Sequence, residues 1–371
     1  MPFFFPPIIN IIRAGKYCRI VPALFWQKKM RYSVPMSITL KAETDDDGRR
    51  LDRILRKALP ELPLSGIHRM LRKGAVLIEG KPAPADCRIA AGQTITINLD
   101  GTTPPKPRDY RGEQKPNQGK PLRPLVNLDI IYEGGGLLII NKASGIAVHG
   151  GNDSLEELVR SYLEKKLPPS LSFRPGPLHR LDKPSSGIMV FSTSLEGAKL
   201  FSQLMRERKI KKQYLALVEG CIKKSETWLD DLVRDTQKKR TLTETHSEGI
   251  PSKNAVTRIK PLAFNTVYTL LLADIETGRT HQIRAQAASR GHPLAGDIKY
   301  GGKPLSQKPL PPQKKASFQG NHRSPKESFL LHAWRMEIPP PAPFPNFIEA
   351  PLPEYFREKI IQVFGKDVVK K

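Results

Sequence analysis

The tract from Gly101 to Pro124 constrains this chain most. It carries six prolines and six basic residues among Gly and Gln, a composition that cannot bury enough apolar surface to offset the entropy lost on ordering. Folding must therefore proceed on either side of a linker over 101–124. The expected division is a small module over 37–100 and a larger domain over 125–365. A chain of 371 residues with 39% apolar content can support both cores. A second Pro- and Lys-rich tract, Lys303 to Lys326, reads as a mobile insertion in the larger domain, at about 303–328. Residues 1–36 read as an extension outside the fold. Phe3 to Phe5 and Ile8 to Ile12 are greasy, but Pro6 and Pro7 interrupt them, Arg13 is the first positive residue, and no small-x-small cleavage site follows. An upstream start ahead of Met36 is the expected origin of the segment.

Charge narrows the partner. Lys and Arg number 61 against 36 acidic residues, a formal net charge of +25, far beyond what solubility needs and suited to a polyanion. No apolar run approaches the ~18–20 residues of a spanning helix, so the expected partner is nucleic acid rather than membrane. Cys18, Cys87 and Cys221 have no paired spacing, and the eight histidines form no His/Cys cluster. Neither a disulfide framework nor a metal site is expected, and a reducing cytoplasm fits.

In the front module, Leu51, Ile54, Leu55, Ala58 and Leu59 fall at helical spacing, closed by Pro60. Ser65 is expected to cap a second helix that buries Ile67, Met70 and Leu71 and stops at Gly74. Two strands complete the pattern. The outward faces carry Arg50, Arg53 and Lys57, then Arg69, Arg72 and Lys73, with few acids between them, which favours phosphate contacts over a merely solvated face.

The larger domain alternates short strands, at 137–140, 188–191, 214–218 and 267–275, with a helix at 196–208 that turns Leu200, Phe201 and Leu204 inward. The order is too irregular for a βαβ series, and an α+β class follows. One turn within it bears chemistry. Pro177-Leu178-His179-Arg180-Leu181-Asp182-Lys183-Pro184-Ser185-Ser186-Gly187 sets a carboxylate between a cation and a Pro, hydroxyl and Gly turn, with the strand at Ile188 anchoring its far end. Near the C-terminal third, Glu276-Thr277-Gly278-Arg279-Thr280-His281-Gln282-Ile283-Arg284 predicts a helix capped by Thr280 and ended at Gly291. Arg284 then sits in the first turn, where a cation is unfavourable for the helix dipole and implies a carboxylate partner.

The 177–187 block resembles the HRLD-x-x-[ST]-S-G signature of the RluA-type pseudouridine synthases. Lys212 to Gly220 resembles that family's K-x-Y-x-A-L-V-x-G strand, and 276–284 with Gly291 to Asp297 and Tyr300-Gly301 matches its third block. Tyr132 to Gly145 is a looser match, with Ala143 in place of Pro. In the front module, Arg50 to Arg53, His68 to Ile78 with Gly80-Lys81, and Gly92 to Ile97 look like an S4 RNA-binding domain. The resemblance implies the pseudouridine synthase fold, a mixed and largely antiparallel sheet with the cleft across its middle. It also implies Asp182 as the catalytic carboxylate, Arg284 as its charge partner, Tyr214 packed on the uracil and Arg180 supporting an extruded nucleotide.

His179 is expected to make a structural hydrogen bond and Asp297 to serve loop geometry. The reaction is redox-neutral, no nucleotide-binding glycine loop is found, and no cofactor is expected. The favoured substrate is 23S ribosomal RNA, with transfer RNA second, acted on by a monomer. Two other readings stand beside it: an inactive ribosome-binding or assembly factor, and a hydrolase built on His179 or His281, which lacks a nucleophile paired to a base.

Overall fold

The computed structural model describes residues 36–60, 62–99, 128–151, 153–164, 166–167, 170–235, 240–243, 252–305 and 329–370. Residues 1–35 of the expected 1–36 extension, the linker and nearly all of the 303–328 insertion lie outside these residues, whereas Met36 opens the first strand.

The front module comprises β1 (Met36–Lys41), β2 (Arg49–Arg50), α1 (Leu51–Ala58), α2 (Leu64–Arg72), β3 (Val76–Ile78), β4 (Lys81–Pro82), β5 (Arg88–Ile89) and β6 (Thr94–Leu99). Helix α1 buries Leu51, Ile54, Leu55 and Ala58, and α2 buries Ile67 and Leu71. Each Leu or Ile side chain among them contributes about 1.5–3 kcal/mol on leaving water. These residues pack on Val76, Ile89, Ile95 and Ile97 of the strands. Helix α2 begins at Leu64, with Pro63 rather than Ser65 at its N-cap; the fixed φ of proline turns the chain into the helix without a side-chain cap. Gly74 ends it at φ +67°, a left-handed conformation that glycine adopts without strain. The sheet runs β1-β6-β3-β4 and is antiparallel throughout. Strand β1 lies outside the helix-helix-strand-strand pattern because its partner, β6, is distant in sequence, with Met36 opposite Leu99.

A clasp joins the module to the larger domain. Asp46 is fully buried and accepts hydrogen bonds from the backbone N–H groups of Leu171 (3.0 Å) and Ser172 (2.9 Å) and from the hydroxyls of Ser170 (3.0 Å) and Ser172 (2.5 Å). Asp45 accepts from the Leu195 N–H at 2.9 Å, and Arg49 donates to the Ser172 carbonyl at 3.1 Å. Leu171 inserts among the apolar residues of the front module.

The larger domain contains β7 (Ile130–Gly134), β8 (Leu137–Lys142), α3 (Leu155–Leu163), β9 (Ser186–Ser192), α4 (Leu195–Arg206), β10 (Lys211–Glu219), β11 (Glu226–Asp235), β12 (Arg240–Thr243), β13 (Lys253–Phe264), β14 (Tyr268–Ile275), α5 (Gln282–Ser289), β15 (Leu331–Glu337), β16 (Phe347–Glu349) and α6 (Glu354–Phe364). Its sheet runs β12-β11-β13-β14-β10-β15-β9-β8-β7, with β16 on β15. All pairings are antiparallel except β15 with β9. The α+β class and the largely antiparallel sheet are as expected. Phe201 of α4 is fully buried, with Leu200 and Leu204 packed beside it.

At the parallel junction, Gly187 has φ +106°, and a Cβ there would stand 2.2 Å from the Ala333 carbonyl oxygen. The glycine that ends the Asp182 turn is thus what lets β9 approach β15. Strands β9, β15, β10 and β14 are central in the sheet, and the turn that leads into β9 meets the helix that follows β14 through Asp182 and Arg284.

Candidate active site

The Asp182 turn is pinned along its length. Leu178 N–H donates to the Val190 carbonyl at 2.8 Å, and Ser185 N–H to the Asp182 carbonyl at 3.1 Å. His179 Nε2 accepts from the Val190 N–H at 3.2 Å. Burial first, then the Lys212 charge, pushes the His179 pKa down to about 4, so the ring is a neutral acceptor that fastens the turn to β9. This is the structural hydrogen bond the sequence implied.

From the other side, the turn after β8 holds the same loop. Lys142 is 1% exposed, and its ammonium donates to the carbonyls of Ala143 (2.9 Å), Lys183 (3.1 Å) and Ser185 (2.5 Å). Ser144 Oγ donates to the Pro184 carbonyl at 2.6 Å, and Gly145 N–H to that of Lys183 at 2.9 Å. Ala143, where the family commonly has proline, therefore leaves a turn fixed by hydrogen bonds. Burial pulls the Lys142 pKa down to about 7, with the Asp182 charge acting the other way.

Asp182 itself is 23% exposed at its side chain. Its Oδ2 accepts from Arg284 Nη1 at 2.8 Å. Arg284 lies in the first turn of α5, as expected, and is 6% exposed. The rest of its guanidinium is taken by Asp297, through Nε to Oδ2 (2.6 Å) and Nη2 to Oδ1 (2.9 Å). Asp297 is 2% exposed; it is an ion-pair partner rather than only a loop-forming residue. Its neighbours Leu294 and Ala295 are buried, and an acid set among buried apolar residues requires a partner; that burial carries no mark in the sequence. The planes of Phe329 and Tyr300 flank the guanidinium at 4.3 and 4.8 Å. Burial opposes the Arg284 charge, and the carboxylates, Asp297 foremost, outweigh it, so its pKa lies above the ordinary value. Arg284 is thus a bridge: one carboxylate fixes its fork and leaves an arm for Asp182.

Helix α5 begins differently from expectation. Its N-cap is His281, in the left-handed region at φ 54°, and no side chain caps it; Thr280 precedes the cap. Instead Gln282 turns back, accepting from the Arg279 N–H and the Thr277 hydroxyl and donating to the Val256 carbonyl.

Tyr214, on β10, is 8% exposed within the main core. Burial first, then the Asp182 charge, raises the pKa of its phenol, so the ring is both core and a neighbour of the carboxylate. Arg180 is exposed at the opening of the turn. In the front module, Arg53, Lys57, Arg69, Arg72 and Lys73 are exposed, whereas Arg50 is half-buried and ion-paired with Asp52 at 2.9 Å. The structure thus brings Asp182, Arg284 and Tyr214 together and leaves the basic residues as a separate surface. Sequence reasoning missed Lys142, which the family-like Asn141-Lys142 turn did contain, and the contact of His281 with Asp182.

A carboxylate braced by a cation that it shares with a second acid, and bordered by an aromatic ring, is a group held in one direction for acid-base or nucleophilic work. Residues 136–289 match the family model described as RNA pseudouridylate synthase. The ribosomal large subunit pseudouridine synthase C of Vibrio parahaemolyticus is 33% identical over 261 residues, covering 70% of this chain and 79% of that protein. The synthase D of Nitrosomonas europaea is 31% identical over 309 residues, covering 83% and 82%. Among solved structures, human RNA pseudouridylate synthase domain containing 1 aligns with 23% identity and a TM-score of 0.47, covering 64% of this chain and 87% of that one. The chain belongs to the RNA pseudouridylate synthase family.

Proposed function

We propose that this chain isomerises specific uridines of large-subunit (23S) ribosomal RNA to pseudouridine, with Asp182 as the catalytic residue. The ion pair of Asp182 with Arg284, at 2.8 Å between the turn before β9 and helix α5, carries the reading, and the names of the relatives support the substrate. The reaction breaks the N1–C1′ bond, turns the detached uracil and joins C5 to C1′; the proton lost from C5 is matched by one gained at N1, so no electrons leave. Asp182 attacks the nucleoside or removes a ribose proton, and both roles need a carboxylate whose direction is fixed. Arg284 supplies that direction, Tyr214 offers a ring face for the uracil, and Arg180, exposed beside the carboxylate, supports the extruded nucleotide, whose unstacking costs a few kcal/mol.

The front module fits the S4 RNA-binding reading, with Arg53, Lys57, Arg69, Arg72 and Lys73 free to meet phosphates and Arg50 held by Asp52. Among the described residues no helix is long and apolar enough to cross a membrane, and a monomer in the cytoplasm remains the working assignment. The test is to map pseudouridines in 23S RNA from a strain lacking the gene. Loss of specific pseudouridines, restored by the intact gene, is expected; an unchanged map contradicts the substrate and favours an inactive RNA-binding factor.

A further inference from the structure

We infer that His281 is a positioning residue for the reaction: a neutral imidazole, its tautomer fixed by Tyr300, that presents an Nε2–H to the Oδ1 atom of Asp182. The inference rests on Asp182 being the reacting group.

Two oxygens of one carboxylate are treated differently here. Arg284 takes Oδ2, and Oδ1 faces His281 Nε2 at 3.7 Å. On the far side of the ring, Nδ1 lies 2.8 Å from the Tyr300 hydroxyl, whose oxygen accepts the Thr241 N–H of β12 at 2.8 Å. With the Thr241 N–H already donating to it, the phenol is assigned to give its own proton to Nδ1. The ring proton then sits on Nε2, and a donor rather than a lone pair stands opposite Oδ1. The other tautomer would set two lone pairs against each other across this gap. An edge-to-face contact with Tyr300, centroids 5.7 Å apart, holds the ring plane.

The backbone points the same way. His281 adopts φ 54° without being glycine, a costly conformation kept where the surroundings impose it and common at functional sites. The charged groups facing the ring are Asp182, Arg284, Lys299 and Asp297; burial lowers its pKa, with the Asp182 charge opposing. A separation of 3.7 Å is too long for a hydrogen bond. Oδ1 therefore remains open to the nucleotide while the imidazole limits its swing.

The experiment combines kinetics with a readout independent of turnover. Nitrogen-15 NMR of the full chain is expected to show His281 neutral, with Nε2 protonated and Nδ1 bare; a protonated Nδ1 overturns the inference whether or not the chain modifies ribosomal RNA. For turnover, His281→Leu is expected to lower kcat roughly 10- to 100-fold, the scale of a reacting group held out of position, with KM for RNA unchanged. His281→Gln, whose amide N–H reaches the place of Nε2, is expected to recover most of that loss. Tyr300→Phe removes the proton donated to Nδ1, so His281 protonates at higher pH, and the acidic limb of the rate profile moves upward. Full activity in His281→Leu, equal impairment of the Gln and Leu variants, or a Tyr300→Phe profile superimposable on the wild type would each overturn it.

Discussion

Asp46→Ala tests how the front module is held against the catalytic domain. The carboxylate is fully buried and takes four hydrogen bonds from residues 170–172. Removing it takes the charged acceptor from the buried N–H groups of Leu171 and Ser172, the latter keeping a 3.3 Å contact with Ser170 Oγ, and each buried donor so deprived costs about 1–3 kcal/mol. The two hydroxyls can turn to other partners, so two amides set the scale, about 2–6 kcal/mol. The Asp45 to Leu195 and Arg49 to Ser172 bonds and the seat of Leu171 remain, which makes the lower half of that range the expectation, about 2–4 kcal/mol. That loss falls on docking rather than on either core. Denaturant unfolding should pass from one transition to two, and limited proteolysis should cut near residues 170–172. If the clasp fixes the basic face relative to Asp182, kcat/KM on intact ribosomal RNA should drop while turnover of a short stem-loop is retained. A single transition displaced by less than about 0.5 kcal/mol, the usual range of surface substitutions, would refute the reasoning.

Three further outcomes follow from the site. Lys142→Met leaves the carbonyls of residues 143 and 185 without their Nζ donor, while that of Lys183 keeps the Gly145 N–H; a stability loss of about 2–4 kcal/mol is expected in urea, with kcat falling more than KM rises. His179 and His332 are each held at a pKa of about 4 in the folded state, against an unfolded value near 6.5. The unfolded chain thus binds more protons between these values, and stability should fall as pH drops from about 6.5 towards 4, by at most ~3 kcal/mol per histidine. His332→Gln should flatten this slope in calorimetry; an unchanged slope contradicts the assignment. Gly187→Ala forces a Cβ to 2.2 Å from the Ala333 oxygen at φ +106° and should destabilise by ~3 kcal/mol or more in denaturant, whereas a neutral effect would mean that β9 and β15 can part freely.

What the sequence made legible was local. The Asp182 turn, strands β8, β9, β10 and β14, helix α4 and the placing of Arg284 in a first turn all announce themselves within a dozen residues. Strand β13 was harder to read: Pro261 interrupts it, and the structure accommodates that proline at a register shift, which turn and propensity rules count against a strand. The pairing of Arg284 with Asp297 spans few residues, but the reason for it, the burial of both, is visible only when the chain is folded. The contact of Asp46 with the amides and serine hydroxyls of residues 170–172, and that of Lys142 with the carbonyls after Asp182, are long-range bonds made largely to backbone atoms. Backbone N–H and C=O groups carry no residue signature, so no motif could reveal them.

The central claim is that one aspartate performs the rearrangement in a cleft built to aim it. Its most direct measurement is pseudouridine formation by purified Asp182→Asn on 23S ribosomal RNA, with RNA affinity measured alongside. Modification should vanish while binding stays close to that of the wild type, because the front module and Arg180 are untouched; retained modification by this variant would contradict the account.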